Sequence, residues 1–189
     1  MGKRSGFKRR DKDTYDTFDR RAVDRLAPHL PANVRYWEPM AGKGDLVRGL
    51  AEHGHECVVA TDLQPRAEGI YRLDALQTTR ADVDATCVSH IITNPVWSRP
   101  LMHQLIWHFM NMRPTWLLFD ADWFHTSQAS MAKSAGVRSA SELRKHCAKV
   151  VCVGRLRWIE GTTMSGKDNC AWHLFDINHS GPAALIGMD

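Results

Sequence analysis

Apolar and polar positions along the chain fall into two rhythms, a helical one and a strand-like one, in alternating segments. Thr17 to about His29 has helical spacing and stops before Pro31. Val34–Glu38 reads as a short strand entering a glycine-containing turn, Pro39–Gly44. Asp45 is placed to cap the next helix, in which Leu46, Val47, Leu50 and Ala51 share one face. Gly54 ends it. Cys57–Thr61 is then a near-continuous apolar run, the pattern of a strand buried on both faces.

A third strand is expected to carry Asp74. Val88–Thr93 is another buried strand, ending at Asn94-Pro95. A helix over 99–112 follows, with Leu101, Leu105 and Phe109 in one stripe and Met102, Ile106 and Met110 beside it. Thr115–Asp120 is a further buried strand, and 127–147 is expected to be helical with a break at Gly136. Lys149–Ile159 and Asn169–Ile177 read as long strands joined by the polar loop Glu160–Asp168, so they should pair antiparallel. The pattern predicts an α/β domain over 13–178, mostly parallel and closed by a carboxy-terminal hairpin. It is flanked by a basic tail over 1–12 and by a tail over 179–189 with little signal.

Composition narrows the class. With 189 residues, 43% of them hydrophobic, the chain suits one globular core rather than a disordered segment. No run approaches the roughly 18 apolar residues of a membrane span, and no apolar stretch follows the basic amino terminus as in a secretory signal. Five scattered cysteines without a CxxC favour reduced thiols in a cytoplasmic protein. The formal net charge of +4 is unevenly distributed. Residues 1–12 and 131–167 are strongly basic, whereas 38–90 is acidic; phosphates suit the first two regions and not the third.

In an open parallel sheet, ligands bind beyond the carboxyl ends of strands, so residues at those ends form one constellation. Small residues at Ala41, Gly42 and Gly44 after Glu38-Pro39 let the backbone approach a ligand. This turn matches neither GxGxxG nor GxxxxGK[ST], which counts against NAD and ATP. Asp62, ending the next strand beside Leu63, is placed to accept from ribose hydroxyls, and Asp74-Ala75 could receive an adenine amino group. In Asn94-Pro95-Val96-Trp97, an Asn oxygen and a neighbouring carbonyl can accept the two hydrogens of a planar –NH2 group while an aromatic ring stacks on it. His53 and His55 read as solvated residues, and no metal ligand set is recognised. Trp123 follows a strand end and could line the pocket. Arg155, Arg157 and Lys167, with the loop 161–168, could contact an acidic substrate.

These residues resemble those of class I S-adenosylmethionine-dependent methyltransferases, and within them the phage and bacterial N6-adenine DNA methyltransferases. The resemblance spans about 14–178. It implies a Rossmann-like sheet with helices on both faces, and S-adenosylmethionine held by Glu38–Asp45, Asp62 with Leu63, and Asp74 with Ala75. Tyr15-Asp16-Thr17 resembles the segment that precedes the family's first strand, and Asn94-Pro95-Val96-Trp97 resembles its catalytic [ND]PP[YFW] motif. Asn94 would then also border the cofactor, and Trp97 would stack on the target. Val96 replaces the usual second proline, and Phe18 stands where proline is frequent. DNA is the implied substrate. RNA adenine, protein glutamine or a non-catalytic binding role are the alternatives. With no separate recognition domain, specificity would come from loops near 122–148 and 160–168 or from a partner.

Overall fold

Among residues 15–126 and 137–188, which the computed structural model describes, the two rhythms resolve into eight strands and five α-helices. The strands are β1 (Arg35–Glu38), β2 (Glu56–Asp62), β3 (Tyr71–Arg72), β4 (His90–Thr93), β5 (Thr115–Asp120), β6 (Cys147–Gly154), β7 (Cys170–Phe175) and β8 (Ala184–Ile186). The helices are α1 (Arg20–Leu26), α2 (Asp45–Glu52), α3 (Arg80–Ala85), α4 (Arg99–Met110) and α5 (Ala140–Arg144). They build one sheet ordered β3-β2-β1-β4-β5-β7-β6-β8. Only β7 runs against its neighbours, pairing antiparallel with both β5 and β6.

Strand alternation divides the core into two layers. On β5, Leu117 and Phe119 face a layer built with Ile106 and Phe109 of α4 and Leu143 of α5. Trp116 and Leu118 face the other, with Val23 and Leu26 of α1 and Leu46 and Leu50 of α2. Helices therefore cover both faces, which explains why β5 carries five fully buried residues in succession. The helix α2 packs closely on α1 through Gly49, where a Cβ would come within 2.7 Å of Val23.

The structure corrects several sequence expectations. Thr17 and Phe18 are not helical; Asp19 caps α1, accepting from the Arg21 amide at 3.3 Å. Gly44, with φ of 77°, takes the N-cap expected of Asp45. The buried face of α2 is Leu46, Gly49 and Leu50, leaving Ala51 exposed. The strand β2 is only half-buried, because its outer neighbour β3 is two exposed residues long. Asp74 lies beyond β3 and caps a 3-10 turn over Ala75–Gln77. Of the expected 127–147 helix, only Ala140–Arg144 is helical among the described positions; 127–136 lie outside them, as does the basic 1–12 segment.

The final hairpin is shorter than its apolar pattern suggested. Gly154 adopts φ of 82°, a left-handed turn that takes Arg155–Ile159 out of the sheet. Beyond the hairpin, Ala184–Ile186 adds a parallel edge strand on β6 within the low-signal carboxy-terminal stretch. His55 is buried, its Nδ1 accepting from the Val34 amide at 3.2 Å, rather than solvated. All five cysteines are free thiols, and burial pushes Cys147 and Cys170 up to about 12, away from nucleophilic use. No helix among the described residues is long and apolar enough to cross a membrane.

Candidate active site

Connections from β1 run outward to β2 and β3, and the chain then returns to place β4 on the other side of β1. At this reversal the carboxyl ends of β1, β2 and β4 open on a cavity of about 640 Å³, within the usual range for a small-molecule site.

The glycine turn after β1 is fastened to the end of β2. The indole N–H of Trp37 donates to Thr61 Oγ1 at 2.9 Å, and the Ala41 amide donates to the Thr61 carbonyl at 2.9 Å. Asp62 receives the Gly42 amide at 2.8 Å on one oxygen and the Gln64 amide at 2.7 Å on the other. Gly42 has φ of 54°, and a Cβ there would lie 2.7 Å from both the Arg66 guanidinium and the Asp16 carboxylate. Only glycine suits that position. Gly44 does not line the cavity; its role is to start α2, with Arg48 and Ile70 over the space a Cβ would fill.

Glu38, Pro39, Ala41 and Gly42 from this turn border the cavity, as do Asp62 with Leu63 and Asp74 with Ala75. Asp74 also accepts from the Leu76 amide at 3.1 Å. The lining is acidic: Asp16, Glu38, Asp45, Asp62, Asp74 and Asp168 stand against Arg66 and Lys167. Glu38 is 2% exposed, and neither its Oε2 nor Oδ2 of Asp45 has a hydrogen-bond partner among the described residues. Burial, then the charges of Asp62 and Asp45, push the Glu38 carboxyl well above the ordinary range. A ligand carrying positive charge and N–H groups would satisfy these orphaned oxygens.

The end of β4 has the opposite character. Asn94 donates to Thr17 Oγ1 at 3.1 Å and to the Tyr15 carbonyl at 3.5 Å, and its Oδ1 accepts the indole N–H of Trp97 at 3.2 Å. The Trp97 ring meets Trp158 edge-to-face, with centroids 5.6 Å apart, and Trp158 in turn meets Tyr15 at 6.4 Å. Gly166 closes behind Trp158, since a Cβ there would lie 2.9 Å from its indole nitrogen. Pro95 and Val96 border the cavity, and Val96 packs against the core layer of α4. Just beyond, Arg99 at the start of α4 pairs with Asp120 at the end of β5 at 2.7 Å, holding this loop against the sheet.

The structure thus gathers Tyr15, Thr17, Asn94, Pro95 and Trp97 around one cavity, with Lys167 on its rim. It does not bring Trp123, Arg155 or Arg157 there. Trp123 is fully buried: the 3-10 segment after β5 turns it inward over Phe119, and its indole N–H donates to His103 Nε2 at 2.8 Å. Arg157 faces Asp19 at 3.5 Å, and Arg155 lies exposed where the chain leaves β6. Sequence reasoning missed Asp16, Arg66 and Trp158. Asp16 and Arg66 form a bidentate ion pair at 2.6 and 2.9 Å that holds the amino-terminal segment over Gly42. Asp16 lies between two recognised residues, but the loop carrying Arg66 has no pattern. Trp158 was hidden within an expected strand.

No protein-family model and no curated protein sequence matches the chain. Among solved structures, one similar to it is a Listeria monocytogenes protein assigned as a class I S-adenosylmethionine-dependent methyltransferase. The match covers 87% of this chain and 61% of that one, with a TM-score of 0.50 and 13% identity. The M protein of the type I restriction enzyme EcoKI matches over 93% of this chain and 47% of its own, with a TM-score of 0.45 and 11% identity. The chain therefore spans less than two thirds of either protein. At such identity the likeness is one of fold, a Rossmann-like methyltransferase sheet.

Proposed function

We propose that this chain is an S-adenosylmethionine-dependent methyltransferase acting on an exocyclic amino nitrogen, N6 of adenine in DNA first among its targets. One observation carries the reading: the Asn94-Pro95-Val96-Trp97 loop opens on the same cavity as Glu38 and Asp62, at the reversal point of the sheet. The residues present suit the cofactor. Orphaned carboxylate oxygens of Glu38 and Asp45 complement its positive charge, Asp62 borders the cavity as the acid that would accept from its ribose, and the glycine turn lets the backbone approach it. When bound, that cofactor supplies an electrophilic methyl group on a sulfonium.

The chain's own part is positioning. The side-chain oxygen of Asn94 and the carbonyl of Pro95 would accept the two hydrogens of the target amino group, directing its lone pair toward the methyl. Trp97 would stack on the target's plane. Alignment of this kind supplies much of the rate in a reaction that needs no metal. In a duplex the base must first leave the stack. Of the basic regions, Lys167 stands on the cavity rim, which supports a phosphate-bearing substrate.

A transfer assay with isotopically labelled S-adenosylmethionine across DNA, RNA and protein, followed by mass spectrometry of the products, tests the proposal. N6-methyladenine in DNA is expected. Label in RNA adenine or protein glutamine would keep the reaction and replace the substrate. Cofactor binding without transfer to any of the three would leave a binding module.

A further inference from the structure

Glu38 stands at the buried end of the acidic wall, and the groups around it are acidic or neutral on every side. Its own strand contributes the phenol of Tyr36, β2 the thiol of Cys57 and the carboxylate of Asp62, and α2 the carboxylate of Asp45. From the amino-terminal segment, Asp16 lines the same cavity. The cations of this region pair with carboxylates other than Glu38: Arg66 with Asp16 at 2.6 Å, Lys43 with Asp16 and Glu160 at 3.8 and 3.6 Å, and Arg48 with Asp45 at 2.6 Å, while Lys167 stands at the exposed rim of the cavity. Glu38 itself is 2% exposed, lines the cavity and keeps an unpartnered Oε2. A carboxylate so placed has little contact with solvent and no cation paired with it among the described residues, so its neutral form is favoured.

We infer, resting on the cofactor reading above, that Glu38 is protonated in the ligand-free chain and releases its proton to solvent when a cationic cofactor enters. The O–H bond of the carboxyl breaks, the electron pair stays on Glu38, and the ligand's positive charge replaces that of the proton. No net charge is added to the buried wall, which is why the exchange is favourable there. Binding is therefore coupled to pH, and the site reads the charge of its ligand as well as its shape. Adenosine, which lacks the cationic part, has no such exchange to drive.

Titration calorimetry of the full chain with S-adenosylmethionine, at about pH 7 in buffers of different ionisation enthalpy, tests the coupling. The apparent enthalpy should vary linearly with buffer ionisation enthalpy, with a slope of about one proton released. Affinity should rise by up to about tenfold per pH unit while Glu38 remains protonated in the free chain. Adenosine should show no slope. Glu38→Gln, its folding checked by thermal unfolding, should bind without proton release and with affinity independent of pH. Binding by the wild-type chain with no slope would overturn the inference and leave the cofactor reading standing, as would an unchanged slope in Glu38→Gln. No binding at all would overturn both.

Discussion

The two ends of the cavity are built from the same sheet and differ in how their polar atoms are satisfied. Around β1 and β2, Glu38 and Asp45 keep buried oxygens without partners, on a wall with a surplus of carboxylates. At the end of β4, the side chain of Asn94 has bonds on both its atoms, and Trp97 and Trp158 brace each other edge-to-face. One end is preformed for a positively charged ligand. The other is closed on itself and must exchange an internal bond for one to its target. Binding energy is thus available at the first end before any rearrangement at the second.

The largest effect should come from separating the two ends at Asn94. Asn94→Ala removes the acceptor for the target amino group without touching the acidic wall, so transfer should fall by roughly a hundredfold or more, a scale typical of lost positioning at a reacting centre. Cofactor affinity should change much less. An equal loss in both, measured by single-turnover kinetics and calorimetry, would merge the two ends into one.

Acid sets limits on the scaffold that holds both ends. Burial holds the imidazole of His173, stacked on Phe119 at 4.0 Å, down to about 3, and burial also lowers His55 and His103. Unfolded histidine titrates near 6.5. Below that value the unfolded chain takes up protons that these histidines refuse when folded, so their contribution is full above about pH 6.5 and is lost toward about pH 3, while Glu38, raised by burial, opposes the loss until unfolded glutamate protonates near about 4.3. For His173 alone the slope reaches about 1.4 kcal/mol per pH unit. Denaturant unfolding should show the fall most steeply below about pH 4.3, where Glu38 no longer offsets it, and a flat profile there would contradict it. Binding experiments that read Glu38 therefore belong at neutral pH and above.

The smallest effect concerns the bond that closes the second end. Trp97→Phe keeps a stacking ring and removes the indole N–H that occupies Asn94 Oδ1. A net hydrogen bond contributes about 1 kcal/mol, so KM for the target should fall severalfold while kcat changes little. A rise in KM would mean that the indole N–H assists binding instead of competing with it.

Much of this was legible in the sequence because apolar patterning reports burial directly. β5 was bounded to the residue, since both its faces meet helices. The strand-end acids, the glycine turn and Asn94–Trp97 were identified because side chains in those places follow from strand direction. Where chain direction depended on one backbone angle, pattern failed: the left-handed Gly154 releases Trp158 from the sheet and delivers it to the cavity. Trp123 failed for the reverse reason, as a strand end predicts exposure and a 3-10 turn buried it. Arg66 meets Asp16 across 50 positions, a pairing that no local pattern encodes.

The comparison stands or falls on one paired measurement: S-adenosylmethionine binding and methyl transfer to adenine-containing DNA, by the wild-type chain and by Asn94→Ala. Both proteins should bind the cofactor, the variant with at most a severalfold loss because Asn94 also borders that site, and only the wild-type chain should leave N6-methyladenine in the DNA. Undiminished methylation by Asn94→Ala would contradict the assignment of the β4 end.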